Sequence, residues 1–367
     1  DQIENRGDDK VRLLYIDRIR AIAILAMVQV HTAAIVPPEG ITVGDPIALV
    51  SAAIGGMAAP LFVTISGWGI YRSAKARNAK SNDEFRDWSK WILPRIIMLI
   101  LCQFLVNFLL STERGGRFES FTPGVLTLLA IATIIAPIII HFSHQTRIVL
   151  MIILAGSQYF LGDLAGTDWT WFERVVQDNF TEWIERLLWN GTYPALPWLA
   201  YIMLGSIIFE LESEPNARDK MMYGGLVITA ATLIYSFTSN QMWALPEGDA
   251  VLTFFPASTT FIIVSGTFVL MTFRILEGEE IQGGPPTGGR SLAILEPAGR
   301  LSLTIYVAHF AVLGIVAEMM YGQARLDVIP AFAATLIHTA IWIPLSILHE
   351  RFISDYSLEK LLQKLSS

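Results

Sequence analysis

Long apolar runs dominate the chain, and the polar positions gather between them. A helix of about 20 apolar residues crosses a bilayer, so each run predicts a membrane-spanning helix. Ten runs can be marked, and they cover residues 14–36, 48–71, 92–110, 123–142, 147–162, 194–210, 221–238, 250–273, 300–320 and 328–348. We therefore predict an all-α fold, in which residues 1–367 form one integral-membrane domain built as a polytopic helical bundle.

The composition agrees with a membrane protein and excludes several other classes. Of the 367 residues 53% are hydrophobic and 16% are charged, whereas soluble proteins carry about 25% charged residues. The net charge of −7 argues against a nucleic-acid partner. A single cysteine, Cys102, cannot form a disulfide within the chain or a cysteine-built zinc site, and we expect no metal.

The basic residues predict an orientation, because Lys and Arg favour the cytoplasmic side of a membrane. We expect both termini in the cytoplasm. Most of the 26 Lys and Arg would then lie on the cytoplasmic side. Five would face outward, namely Arg114, Arg117, Arg174, Arg186 and Arg325. The chain would be surrounded by membrane lipids. Its glycine-rich helix faces are typical of helix–helix contacts, so a homodimer is one expected assembly.

Two connections differ from the others in this topology. Residues 72–91 form a basic cytoplasmic loop, and residues 163–193 form a long outer loop whose apolar positions recur at helical spacing. This outer amphipathic segment is interpreted either as a helix that braces the membrane interface or as a lid with aromatic rings for stacking on a ligand.

Ionisable residues at membrane depth are costly and are therefore candidates for function. Arg20 and His31 are eleven positions apart, almost three helical turns, so they share a face about 16 Å apart along the axis. The first helix thus presents an anion-binding cation near its inner end and a titratable base in its outer half. The alternatives are a positive-inside anchor and a core histidine that bonds to another helix.

Later helices carry further polar residues. Asn107 follows Gln103 by one turn and would either bind a substrate or hold helices together. His309 is a second buried imidazole, for which packing and chemistry are equal alternatives. For His338 we favour a helix–helix hydrogen bond, and at Ser66 close helix packing competes with ligand binding.

Four segments, in order along the chain, resemble the transmembrane acyltransferase superfamily. It includes the acyltransferase-3 and heparan-α-glucosaminide N-acetyltransferase families, and within the superfamily the chain most resembles these two. The segments are Arg12–Val36 with the pattern Arg20-x10-His31, Pro60–Ser73, Pro194–Glu210 and Gly299–Phe310. The resemblance implies about ten membrane helices and a prokaryotic cell membrane.

The same resemblance implies an N- or O-acetyltransferase that moves an acyl group, expected to be acetyl, from cytoplasmic acyl-CoA to an outer glycan or amino-sugar acceptor. His31 would act as general base, and His309 or Asn107 would steady the thioester oxyanion. An acyl-histidine intermediate stays open. The co-substrate acetyl-CoA would be held by Arg20, Arg72, Arg300 and Ser66.

A multi-pass transporter or flippase for a glycan or lipid-linked sugar is the alternative function. The number of helices and the buried polar residues suit that class as well. Paired repeats with broken helices are typical of transporters, and we find none in the sequence. Uptake of a substrate into proteoliposomes without acyl-CoA would separate the two functions.

Overall fold

The computed structural model describes residues 12–41, 45–79, 84–320 and 326–366 as a bundle of α-helices. Two short strands, β1 (Ala244–Leu245) and β2 (Leu252–Thr253), pair in parallel. The helices are α1 Leu14–Ile35, α2 Pro46–Asn78, α3 Glu84–Leu109, α4 Val125–Ile139, α5 His144–Ala155, α6 Ser157–Leu161, α7 Trp171–Val175, α8 Phe180–Glu185, α9 Ala195–Glu210, α10 Pro215–Ser239, α11 Thr259–Glu277, α12 Gly289–Ala293, α13 Glu296–Arg300, α14 Ser302–Met319, α15 Val328–Phe352 and α16 Leu358–Ser366.

Each of the ten predicted segments contains a helix. Seven helices of the described chain are long and apolar enough to cross a membrane, and two bent helix pairs would raise the number to nine. The shorter apolar helix α4 corresponds to the remaining predicted segment, 123–142. The prediction of a polytopic all-α membrane bundle is therefore confirmed, while its orientation stays a prediction.

The two ends of the bundle are named here after the residues of α1 that lie nearest to them. The Arg20 end holds the start of α1 and the end of α2, where Arg20 lies against Gly69. The His31 end holds the end of α1 and the start of α2, where Gln29 Nε2 donates to Ser51 Oγ. The long helices alternate between these ends.

Segment 250–273 is helical only from Thr259 onward. Ser258 Oγ accepts a hydrogen bond from Phe261 N at 3.2 Å and so caps α11. Before this cap the chain forms β2 instead of continuing the helix. Hydropathy does not register a cap, so the prediction from apolar residues passed over the turn at Pro256 and Ser258.

The basic segment 72–91 is largely helical. α2 continues to Asn78 and α3 begins at Glu84, while residues 80–83 lie outside the described residues. Ala, Lys, Arg and Glu are good helix formers, so both helices extend past the apolar stretch.

The segment 163–193 is divided into α7, α8 and a π-helical turn, Arg186–Asn190, where the spacing predicted one amphipathic stretch. Asn179 ends the continuity, because its Oδ1 accepts a hydrogen bond from Glu182 N at 3.0 Å and starts α8 anew. The guanidinium of Arg174 is fully buried and donates to the carbonyl oxygens of Ala165, Gly166 and Asn190. A buried polar core therefore holds this segment together.

Glycines permit the closest helix contacts. A Cβ at Gly205 of α9 would lie 2.3 Å from Thr64 O and 2.5 Å from Trp68 N, both on α2. Similarly, a Cβ at Gly299 of α13 would lie 1.8 Å from Asp17 O on α1. Small residues at helix contacts let backbones approach in membranes, so these positions set the spacing of the bundle.

Substitution of Gly205 by Ala should destabilise the protein, because the added methyl group would push α9 away from α2. We expect a loss of about 1–3 kcal/mol, the usual cost of overpacking. The measurement is the midpoint of thermal unfolding of the detergent-solubilised protein. The control is Gly224→Ala on α10, where a Cβ meets nothing within 4 Å. An equal effect of both substitutions would contradict this account of the contact.

Candidate active site

Two histidines from distant parts of the chain meet at the His31 end. His31 Nδ1 on α1 lies 2.9 Å from His309 Nε2 on α14. Their ring planes differ by 7°, so the hydrogen bond lies close to the plane of both rings. His309 is completely buried and His31 is partly buried. In the sequence His31 and His309 are separate candidates, and the structure joins them by a hydrogen bond.

The backbone fixes which nitrogens carry protons in this pair. His309 Nδ1 lies 3.0 Å from the carbonyl oxygen of Ile305, which only accepts hydrogen bonds, so Nδ1 carries the proton. In a neutral ring His309 Nε2 is then the acceptor, and His31 Nδ1 donates to it. His31 Nε2 is consequently the nitrogen with a free lone pair.

Aromatic rings surround the histidine pair. The ring centroid of Phe310 lies 4.7 Å from that of His31 and 4.2 Å from that of His309. Tyr306 packs edge-on against His309 with centroids 5.7 Å apart. These rings hold both imidazoles in place and limit the access of water.

A third histidine, His338 of α15, borders the same cluster. Its Nδ1 lies 2.8 Å from Thr32 Oγ1 on α1, so the predicted helix–helix hydrogen bond is confirmed. Its ring centroid lies 6.4 Å from that of His309. The cluster therefore joins α1, α14 and α15.

The segment 163–193 reaches the cluster through one aromatic contact. Trp171 Nε1 donates to Arg117 O at 2.9 Å, and its ring packs on Phe118 with centroids 5.8 Å apart. Phe118 in turn packs edge-on against Phe310, 6.0 Å between centroids. The segment thus covers the His31 end, and both the brace and the lid stay predictions.

The Arg20 end carries the residues that were predicted to bind the acyl donor, acetyl-CoA. Arg20 Nη1 lies 3.8 Å from Asp17 Oδ1, and its side chain is 34% exposed. The Arg72 guanidinium lies 5.2 Å from the ring centroid of Trp68, a cation–π contact. Because Arg20 packs against Gly69, one turn before Arg72, the two arginines share this end of the bundle.

Arg300 also lies at the Arg20 end, but carboxylates surround it. Its Nη2 donates to Glu350 at 2.5 Å, and its Nη1 lies 3.8 Å from Asp17 and 3.7 Å from Glu296. These contacts neutralise its charge, so Arg300 is a poorer anion ligand than Arg20. Ser66 lies partly buried on α2.

Asn107 has no donor left for chemistry. Its Nδ2 donates to Ser120 O at 3.2 Å and Thr122 O at 2.9 Å, and its Oδ1 accepts from Gln103 Nε2 at 2.9 Å. Gln103 Oε1 also accepts from Leu126 N at 3.3 Å. The arrangement favours the alternative in which these residues hold α3 against the start of α4.

Sequence reasoning missed Glu359 of α16. Its Oε1 accepts from Leu303 N at 2.7 Å and Thr304 N at 3.0 Å, so it caps the beginning of α14. No local pattern signals a cap supplied from more than fifty residues away. Its effect is to fix the helix that carries His309.

Other features of the described residues lie apart from the histidines. A cavity of about 590 Å³ opens between α6, α10 and the start of α11, with Gln158, Tyr159 and Tyr235 in its wall. None of the predicted site residues lines it. In the described part of the chain no three His, Cys, Asp or Glu residues are grouped to hold a metal ion.

Together these features define a multi-pass membrane protein with a hydrogen-bonded histidine pair at one end and arginines at the other. A family model described as an acyltransferase domain, that of the acyltransferase-3 family, matches residues 13–349. The chain therefore belongs to the acyltransferase-3 family and is a membrane acyltransferase. A search of curated proteins finds no match. The resemblance to heparan-α-glucosaminide N-acetyltransferases stays a prediction.

Glu212, in the turn after α9, makes the stability of the Arg20 end depend on pH. It accepts from Trp68 Nε1 at 2.8 Å and Tyr15 Oη at 3.2 Å, and burial raises the pKa of its carboxyl. A carboxyl whose pKa is higher in the folded protein loses stabilising free energy as the pH rises through that value.

Glu212→Gln keeps an oxygen acceptor without the charge. We expect its unfolding midpoint to increase relative to the wild type as the pH is raised from about 5 to about 8, above the ordinary carboxyl pKa. Thermal unfolding at both pH values measures this difference. The control is Glu113→Gln, at an exposed position. A difference that stays constant with pH would contradict the role of burial.

Proposed function

We propose that this acyltransferase moves an acetyl group from acyl-CoA, bound at the Arg20 end, to a glycan or amino-sugar acceptor that reaches the His31 end. Membership of the acyltransferase-3 family supports acyl transfer. The observation that carries the mechanism is the chain of hydrogen bonds from His31 Nδ1 to His309 Nε2 and from His309 Nδ1 to Ile305 O.

In this mechanism His31 Nε2 is the general base. It takes the proton from the acceptor O–H or N–H while the acceptor atom attacks the thioester carbonyl carbon. The bond between carbon and sulfur then breaks, and the CoA thiolate leaves with the proton returned from His31. The products are the acetylated acceptor and the free thiol, so atoms and charge balance.

His309 is a positioning residue in this scheme. Its Nε2 accepts from His31 Nδ1 and so keeps the basic nitrogen of His31 on the opposite side of the ring. The partial positive charge that His31 gains during the reaction is stabilised through the same hydrogen bond. Burial in the aromatic surroundings strengthens that electrostatic effect.

Arg20 and Arg72 are proposed to bind the phosphate groups of acyl-CoA. Guanidinium groups form strong charge-assisted hydrogen bonds with phosphate, and Arg20 is only loosely paired, at 3.8 Å from Asp17. A role for Ser66 on the same helix as Arg72 remains part of this proposal. Arg300 would instead hold Asp17 and Glu296 in place.

The proposed orientation puts the Arg20 end in the cytoplasm of a prokaryotic cell. Arg72, Arg147 and Arg274 lie at that end, whereas Arg117 and Arg174 lie at the other. This asymmetry agrees with the preference of basic residues for the cytoplasmic side. Acyl-CoA would enter from the cytoplasm, and the acceptor would approach from outside.

His31→Ala should lower acetyl transfer about 100- to 10,000-fold, because it removes the proposed base. The measurement is transfer of radiolabel from acetyl-CoA to the membrane fraction of cells that produce each variant. His141→Ala is the control, since His141 is exposed. Equal size-exclusion profiles establish that the variants fold. Undiminished transfer by His31→Ala would remove this residue from the mechanism.

Arg20→Gln should weaken the binding of CoA to the purified protein about tenfold or more, the effect of losing a charge-assisted contact. Isothermal titration calorimetry measures the dissociation constant, and the difference should shrink at high salt. Arg114→Gln is the matched control, because Arg114 pairs with Glu318 at the other end of the bundle. An unchanged dissociation constant for Arg20→Gln would show that Arg20 does not bind CoA.

A further inference from the structure

The Nε2 atom of His338 takes no part in the proposed mechanism. Thr32 Oγ1 lies 2.6 Å from Val28 O, which only accepts, so the hydroxyl hydrogen of Thr32 is directed to that carbonyl. Thr32 Oγ1 therefore accepts from His338 Nδ1, 2.8 Å away. A neutral imidazole has one N–H, so His338 Nε2 carries a lone pair.

This lone pair is buried near the indole N–H of Trp342, a donor that also has no hydrogen-bond partner among the described residues. Among the described residues neither His338 Nε2 nor Trp342 Nε1 has a hydrogen-bond partner, and both atoms are inaccessible to solvent. The two side chains lie one turn apart on α15, with ring centroids 6.1 Å apart. Leaving buried polar atoms unpaired is costly, so the pair points to a ligand that satisfies both.

The position of this pair lies on the proposed reaction path. The ring of His338 is 6.4 Å from that of His309. Trp342 is one turn nearer to Glu350, the residue that pairs with Arg300 at the Arg20 end. His338 therefore lies level with the proposed base, and Trp342 extends the pair toward the proposed site for the CoA phosphates.

We propose that His338 and Trp342 form a binding subsite for a neutral group with one donor and one acceptor, namely a hydroxyl or a secondary amide. The group would donate to His338 Nε2 and accept from Trp342 Nε1–H. The inference rests on the proposed function, because both chemical groups occur in its substrates. The pantetheine arm of CoA carries amides and a hydroxyl, and a sugar acceptor carries hydroxyls.

Three variants test the subsite on the full-length protein in detergent. Trp342→Phe keeps a ring but removes the N–H. His338→Asn keeps a donor near the Nδ1 position for Thr32 and removes Nε2, whereas His338→Gln carries an amide near the Nε2 position. Thr335→Ala is the control on the same helix, because the Thr335 hydroxyl bonds only to Ala331 O among the described residues.

The binding probes are CoA and adenosine 3′,5′-bisphosphate, which lacks the pantetheine arm. If the subsite binds the arm, Trp342→Phe and His338→Asn weaken CoA about five- to tenfold and leave the bisphosphate unchanged. His338→Gln and Thr335→Ala should retain CoA binding. If the subsite binds the acceptor, CoA affinity stays constant while the first two variants lose transfer of radiolabelled acetyl to membranes.

Unchanged CoA binding and unchanged transfer in Trp342→Phe and His338→Asn would overturn the subsite and leave the proposed function intact. Failure of the wild-type protein to bind CoA at all would instead overturn the proposed function, and the subsite with it. Unfolding midpoints and size-exclusion profiles identify any variant that fails to fold. If one of Trp342→Phe and His338→Asn fails to fold, the other variant provides the test.

Discussion

The arrangement of polar groups depends on how closely α13 approaches α1. Gly299 lies on the backbone of Asp17, where any Cβ would be 1.8 Å from the carbonyl oxygen. α14 continues from this contact, and Glu359 caps its first residues. The register set there brings His309 within 2.9 Å of His31 at the opposite end. A side chain at position 299 would therefore disturb the histidine pair without touching it.

Two arginines near this contact differ in their burial and in their pairing. Arg18 and Arg20 are two residues apart on α1, yet Arg18 is buried and bonds to Glu296, Thr287 O and Gly289 O. Arg18 therefore holds both α13 and the glycine-rich connection after α11 against α1. In a buried ion pair of this kind, the cost of desolvation offsets much of the electrostatic attraction. Arg20, partly exposed and loosely paired, keeps its charge available for an anion.

The sequence predicted the parts of this site that lie along one helix and missed those that join helices. Apolar run length is a local property, so the ten segments and the spacing of Arg20 and His31 could be predicted. The bond between His31 and His309 joins residues 278 positions apart, which no local pattern encodes. Asn107 illustrates the converse, since its polarity suggested chemistry while its hydrogen bonds to Ser120 and Thr122 satisfy the backbone of a turn.

The hydrogen-bond chain of the histidine pair also limits where a proton can go. It ends at the carbonyl oxygen of Ile305, and a peptide carbonyl does not take up a proton under physiological conditions. On the proposed mechanism, a proton accepted at His31 Nε2 therefore cannot be passed onward through His309. In this proposal it would stay at the nitrogen that faces the reacting atoms, where the departing CoA thiolate would be the base within reach. One imidazole would thus serve as base and then as acid, and the site would need no proton path through the membrane.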